Sequence, residues 1–290
     1  MNEEKRDLQA IVLAGGKGTR MKSDLPKVLH DVYGKSVIRH SIDNVREAGI
    51  GDVIVVVGYG RELVMEHLGD RVWFAVQEEQ LGTGHAARQA LPLLGEDTGS
   101  VVVCYGDMPF LRPPTFRALI DAQAQPGVVA AILTMELENP PDFGRVVRDG
   151  RGRVRRVVEV KDCTRDELKL KEFNVGVYCF NTGALRWALP RLSNDNAQEE
   201  YYLTDVVQIL VEGGWRVKTV RTEGIEETLG INDRADLELA ERLKAIAGAE
   251  SVSDLARPSR SDAGGERPLD GRRTPLPEPL CDHDNEPSGR

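Results

Sequence analysis

Residues 8–21 read LQAIVLAGGKGTRM, a mostly apolar run that breaks abruptly into a turn holding Gly15, Gly16 and Gly18. An apolar run of this length bounded by glycine reads as a strand buried on both faces, as in a parallel sheet. In open parallel sheets ligands bind beyond the carboxyl ends of the strands, which is where this turn falls. Glycine lets backbone N–H groups approach an anion closely, Arg20 can grip a phosphate with two parallel hydrogen bonds, and Lys27 can supply a point charge. Lys17, Arg20, Lys22 and Lys27 form a basic cluster interrupted only by Asp24. Two other phosphate loops are excluded by spacing. GxxxxGK[ST] is absent, and the residues around Met21 lack the third glycine of a dinucleotide fingerprint.

Working outward, residues 53–57, 101–104 and 128–133 repeat the Val- and Ile-rich pattern, with segments of helical period between them. Val37, Ile38, Ser41, Ile42 and Val45 make one helix face, and Ala86, Ala87, Ala90, Leu91 and Leu94 another. Alternation of this kind predicts right-handed βαβ crossovers and the α/β class: a Rossmann-like, mostly parallel mixed sheet sandwiched by helices. Residues 143–160 show two alternating strands around an Asp149-Gly150 turn, read as an inserted β-hairpin lobe facing the substrate. Residues 173–180 and 215–220 read as further strands, and 201–211 and 235–247 as helices.

The composition, 40% hydrophobic and 29% charged over 290 residues, is that of a globular protein. A net charge of −9 argues against a general affinity for nucleic acid or anionic membrane, so a polyanionic ligand must meet local positive charge. No apolar run approaches the roughly 18 residues that span a bilayer, and MNEEKRD is too polar for a secretory leader, which predicts a cytoplasmic protein. Cys104, Cys163, Cys179 and Cys281 show no CxxC spacing and read as reduced thiols. From residue 248 the chain holds six prolines, no aromatic residue and no lysine, so the expected organisation is a domain over 1–247 and a disordered tail over 248–290. No repeat with a period of 20 to 50 residues is present.

Asp107, in CYGDMP at the end of the strand over 101–104, can cap the next turn or hold Mg²⁺, a hard cation that takes carboxylate oxygen and bridges to phosphates. Gln77, Gly82, Thr83, Gly144, Glu159, Asn174 and Asn232 also stand at breaks between elements. Each has an ordinary explanation when taken alone. Thr83 can cap a helix, Asn174 can fill a turn, and Glu159 can be an exposed strand carboxylate.

Together, LAGGKGTRMKSDLPKVLH, EEQLGTGHA, YGDMPF, FGRV, VVEVKDCT, EFNVGVY, NDNAQEEYYLTD and LGIND resemble, in order and spacing, the uridyltransferase (pyrophosphorylase) domain of the bifunctional bacterial N-acetylglucosamine-1-phosphate uridyltransferase/glucosamine-1-phosphate acetyltransferases. The likeness runs from about residue 8 to 245. It implies a fold of the nucleotide-diphospho-sugar transferase type, with the hairpin lobe on the sugar side. It also implies Mg²⁺-dependent uridylyl transfer from UTP to N-acetylglucosamine 1-phosphate. By that resemblance Leu13, Ala14, Gly15, Gly16, Gln77, Gly82, Thr83, Tyr105 and Gly106 contact the nucleotide, and Arg20 and Lys27 are catalytic, facing the phosphates. Gly144, Glu159, Asn174 and Asn232 hold the sugar, and Asp107 with Asn232 holds the metal. Val175 departs from the family pattern, in which Thr commonly follows the sugar-binding Asn. No hexapeptide repeat follows Ala247, so the resemblance implies the uridyl half-reaction, with a separate acetyltransferase as a partner. A same-fold enzyme using another sugar 1-phosphate or nucleotide is the alternative reading, and a non-catalytic nucleotide-sugar sensor a further one.

Overall fold

A computed structural model describes residues 8–255. The chain opens with β1 (Leu8–Leu13), a two-stranded ribbon of β2 (Asp31–Val32) and β3 (Lys35–Ser36), then α1 (Val37–Glu47). β4 (Asp52–Val57), α2 (Arg61–Leu68), β5 (Trp73–Val76), α3 (Thr83–Gln89), β6 (Ser100–Tyr105) and α4 (Pro113–Gln123) continue the alternation. The second half holds β7 (Val128–Glu136), the hairpin β8 (Arg145–Arg148) and β9 (Val154–Val158), β10 (Glu172–Asn181), α5 (Thr182–Ala188), α6 (Asp205–Glu212), β11 (Arg216–Arg221) and α7 (Arg234–Leu255).

The main sheet runs in the order β11-β7-β10-β6-β1-β4-β5, with β8 and β9 attached through β10. β1 pairs parallel with both β4 and β6, and β4 pairs parallel with β5, so their carboxyl ends share one edge. β10 is antiparallel to β6 and β7, which makes the sheet mixed. Alternate side chains supply two separate cores, as strand geometry requires. Ala10 and Val12 pack with Ile38, Ile42 and Val45 of α1 and Phe116 of α4 on one face. Ile11 and Leu13 pack with Ala86 and Ala87 of α3 and Val206 and Leu210 of α6 on the other. Among the described residues no helix is long and apolar enough to cross a membrane.

The expected strands form, and all five residues of the α1 face are buried. Three details differ. The hairpin turn is longer than Asp149-Gly150: the Asp149 carboxylate accepts from the amides of both Arg151 and Arg153, and Gly152 takes the positive φ of 76°. The helix expected over 201–211 begins only at Asp205, because the backbone before it is bonded elsewhere. Tyr201 N–H donates to the Leu81 carbonyl at 2.8 Å, and the Tyr201 carbonyl accepts from Gly84 at 2.7 Å. The last helix runs to Leu255, past the expected boundary at 247, and the rest of the expected tail lies outside the described residues. The chain divides into two units between Ala249 and Glu250. Cys104, Cys163 and Cys179 form no disulfide, and Cys281 lies outside the described residues.

Candidate active site

The strand ends at the carboxyl edge are bonded to one another. Ala14 donates to Val56 at 2.8 Å, Gly106 to Leu13 at 2.9 Å and Gln77 to Val57 at 2.8 Å, so the turn after β1 lies between the segments after β5 and β6. Gly18 adopts a φ of 58°, and a Cβ there would come within 2.7 Å of the Lys27 Cβ. A glycine is therefore needed for the basic loop to fold back against Lys27. Gly82 has a φ of 105°, and its Cβ would meet the Tyr201 carbonyl at 2.6 Å. This close approach joins EEQLGTGHA to NDNAQEEYYLTD, segments that lie far apart in the chain.

Two cavities open along this edge. The first, of about 280 Å³, is lined by Leu13, Ala14, Gly15 and Gly16 from the β1 turn, Lys27, and Gln77, Gly82 and Thr83 from the segment after β5. The second, of about 430 Å³, is lined by Arg20, Gly144, Glu159, Asn174 and Asn232. Thr83, Tyr105, Asp107 and Glu200 belong to both walls. Of the residues that the resemblance assigned to the site, only Gly106 lines neither cavity; its amide ties β6 to β1. Gln80, Glu200, Gln198 and Tyr202 also form the walls. They sat inside the two long motifs, but nothing in their spacing separated them from neighbouring polar residues. A larger hollow of about 940 Å³ between the β8–β9 hairpin and β11 contains none of the expected site residues. Convergent polar groups, rather than volume, single out the smaller pair.

At the junction of the cavities, Lys27 Nζ donates to Asp107 Oδ2 at 2.5 Å and to Asn232 Oδ1 at 3.0 Å. Both partners of the ion pair are largely withdrawn from solvent, with side chains 14% and 19% exposed. Asn232 is held there because Ile231 N–H donates to the Asp107 carbonyl at 2.8 Å and the Asn232 amide N–H donates to Asp236 at 2.8 Å. Arg20 is exposed on the wall of the second cavity and has no ion-pair partner among the described residues.

Thr83 does not cap α3: its hydroxyl oxygen accepts from Leu203 N–H at 3.0 Å. The Gln77 amide N–H₂ faces the Gly82 carbonyl at 3.1 Å and His85 Nδ1 at 3.1 Å, leaving its oxygen for another donor. Burial and the Arg88 charge lower the proton affinity of His85, which keeps it neutral. Asn174 is buried at 4% exposure; its amide N–H₂ donates to Tyr178 Oη at 2.8 Å, while Oδ1 has no partner among the described residues. Glu159 is half-buried and accepts from the Thr204 hydroxyl at 3.0 Å. Burial pushes its carboxyl above the usual range, and Asp162 and Glu200 add to the rise. Burial, Glu159 and Asp162 likewise push Asp205 up to about 6.

The Asp205 shift has a signed consequence for stability. A carboxyl that binds its proton more tightly in the folded chain than in the unfolded one stabilises the fold below its folded pKa. That contribution is lost as pH rises toward about 6. Asp205→Asn is therefore expected to raise the melting temperature at pH 7.5, with the gain shrinking as both proteins are melted at successively lower pH down to 4.5. An equal gain at every pH would show that Asp205 carries no such penalty.

Comparisons with known proteins identify the chain's family. Residues 10–168 match the model of the MobA-like NTP transferase domain. The chain belongs to this family. Over 232 residues it is 47% identical to the bifunctional protein GlmU of Bacillus cereus strain AH187, and equally to that of Bacillus anthracis strain CDC 684. The matched region covers 80% of this chain and 50% of each relative, so the chain spans about half the length of these curated relatives. A crystal structure from Bacillus anthracis, of a protein assigned as a glucose-1-phosphate thymidylyltransferase in complex with sucrose, superimposes with a TM-score of 0.68 at 20% identity. It covers 81% of this chain and 94% of its own, a likeness of fold. This member of the MobA-like NTP transferase family thus carries a GlmU-like sequence over 80% of its length on a nucleotidyltransferase fold.

Proposed function

We propose that the chain transfers a uridylyl group from UTP to N-acetylglucosamine 1-phosphate, giving UDP-N-acetylglucosamine and pyrophosphate. The observation that carries this reading is the meeting of two polar cavities at Asp107, with Lys27 and Asn232 at the junction. A nucleotide in the first cavity and a sugar phosphate in the second bring an anionic oxygen up to the α-phosphorus. The nucleophile is already ionised, so no strong general base is required, and neutral His85 is consistent with that. What remains is to position two polyanions and to offset charge on the departing pyrophosphate, the work of Lys27, Arg20 and the glycine-turn amides.

In the lining of the second cavity Asn174 Oδ1 has no donor among the described residues, and the Glu159 carboxylate takes one bond, from the Thr204 hydroxyl. Asn174 Oδ1 and the Glu159 carboxylate suit a ligand rich in hydroxyl and amide N–H groups. An unpaired buried acceptor costs about 1–3 kcal/mol, which a sugar donor recovers on binding. Val175, 1% exposed beside Asn174, gives this wall an apolar spot in place of a hydroxyl. Asp107 and Asn232 offer hard oxygen donors that already converge on a cation, the Lys27 ammonium, and this donor set fits Mg²⁺ shared with substrate phosphates. Asp107 and Asn232 would hold the ion, and its chemistry when bound is neutralisation of phosphate charge. Use of UTP, an intracellular nucleotide, fits a cytoplasmic location.

The test is pyrophosphate release from UTP and Mg²⁺ with the 1-phosphates of N-acetylglucosamine, glucose, galactose and N-acetylgalactosamine, and with dTTP replacing UTP. Selective release with UTP and N-acetylglucosamine 1-phosphate is expected. Release with another pair would reassign the substrates, and no release with any pair would favour a nucleotide-sugar sensor. Asp107→Asn is expected to raise the Mg²⁺ concentration for half-maximal release several-fold; an unchanged titration would remove Asp107 from the metal site.

A further inference from the structure

The guanidinium of Arg145, the first residue of β8, is buried at 4% exposure and has no carboxylate partner among the described residues. A permanently charged group in such a place is costly unless fixed dipoles surround it. Here the dipoles are carbonyls from one short segment. Nη1 donates to the Pro141 carbonyl at 2.8 Å and the Phe143 carbonyl at 2.5 Å, and Nη2 to the Pro140 carbonyl at 3.3 Å. Nε is buried without a partner, so the charge is satisfied entirely from this side.

The segment has little else to hold it. Pro140 and Pro141 have no amide proton, and the bond from Phe143 N–H to the Pro141 carbonyl at 2.7 Å lies within the segment itself. Its outward anchor is the stacking of the Phe143 ring on Phe173, with centroids 5.6 Å apart. Asp142, Phe143 and Gly144 form the lip of the second cavity, and the Gly144 carbonyl accepts from Asn174 N–H at 2.8 Å. The same lip thus borders the cavity and is bonded to the backbone of Asn174, which lines it.

We propose that Arg145 is a positioning residue for the acceptor side of the site: its planar fork gathers three carbonyls of residues 140–143 and so fixes the lip against Asn174. This rests on the reading of the second cavity as the sugar-phosphate site. Arginine suits the role because one rigid plane serves several carbonyls, whereas an ammonium presents donors around a single nitrogen.

The experiment compares full-length wild type, Arg145→Met and Arg145→Lys by amide exchange and by steady-state kinetics. In Arg145→Met, exchange at Asp142, Phe143, Gly144 and Asn174 is expected to accelerate by about tenfold or more while β1 and β6 keep their protection. The acceptor KM is expected to rise by about tenfold or more with the UTP KM within twofold, and Arg145→Lys to fall between wild type and Arg145→Met. Unchanged exchange at the lip in both variants would overturn the proposal, as would equal rises in the acceptor and UTP constants. If Arg145→Met does not fold, the same readings on Arg145→Lys decide. If wild type turns over no sugar 1-phosphate, the transfer reading fails while the exchange pattern still decides whether Arg145 holds the lip.

Discussion

Lys27→Ala is expected to lower the turnover of nucleotidyl transfer by about 100- to 1,000-fold, the loss typical of removing one preorganised donor from a site of developing oxyanion charge. Among the described residues Lys27 is the one cation bonded to both Asp107 and Asn232, and it lines the first cavity, the proposed nucleotide site. Its withdrawal leaves two oxygen groups facing each other and an uncompensated site for the triphosphate. Lys27→Arg is expected to recover only part of the loss, because a planar guanidinium must replace the single ammonium nitrogen that bonds both Asp107 and Asn232. Turnover measured at saturating substrate, alongside melting temperature, checks the result. A loss below tenfold would remove Lys27 from the catalytic machinery, and a lowered melting temperature beside it would leave Lys27 as a structural tie between two loops.

The largest effect on stability is expected at Arg112. Glu227 is completely buried, and its carboxylate takes bonds from Arg112 Nε at 2.8 Å, Arg112 Nη2 at 2.6 Å, the Arg112 backbone N–H at 3.1 Å and the Thr222 hydroxyl at 2.9 Å. The Arg112 side chain itself is 56% exposed. Removing one partner of a buried pair costs about 3–5 kcal/mol because the other charge remains unpaired. For a domain of this size that lowers the melting temperature by on the order of 10 °C. Arg112→Ala should show it, measured by thermal melting at pH 7.5.

Replacing both partners, as in Arg112→Met with Glu227→Leu, should restore much of the stability. A melting temperature unchanged by Arg112→Ala would show that Glu227 is satisfied by its remaining bonds. The network also bears on the site, since it ties the segment before Asn232 to the start of α4.

The parallel half of the fold was legible in the sequence because both-face burial demands uninterrupted apolar strands, and residues 8–13, 53–57 and 101–104 display them. The site's location followed from glycine beyond such a strand, since few other features let backbone amides crowd an anion. The shared ends of β1, β5 and β6 then bring Lys27, Gln77 and Asp107 together. Short amphipathic elements were harder: β5 is only four residues long, with Trp73 exposed, and α2 and α4 carried no pattern that stood out beside their loops.

By itself the sequence determined which residues could form buried strands, where glycine had to release the backbone, and which charges could meet a polyanion. These are properties of single residues and their near neighbours. Tertiary structure decided the rest. It bonded Tyr201 to the 81–84 turn and so shortened a helix that local period favoured, because an amide committed to a distant carbonyl cannot also serve a helix. It put Thr83 against Leu203 rather than at a helix cap, and it set Lys27 between Asp107 and Asn232, which lie 80 and 205 residues away. It also buried Arg145 against its own upstream carbonyls. Such bonds depend on which groups the packed sheet leaves within about 3 Å of one another, a relation between distant parts of the chain that no local pattern encodes.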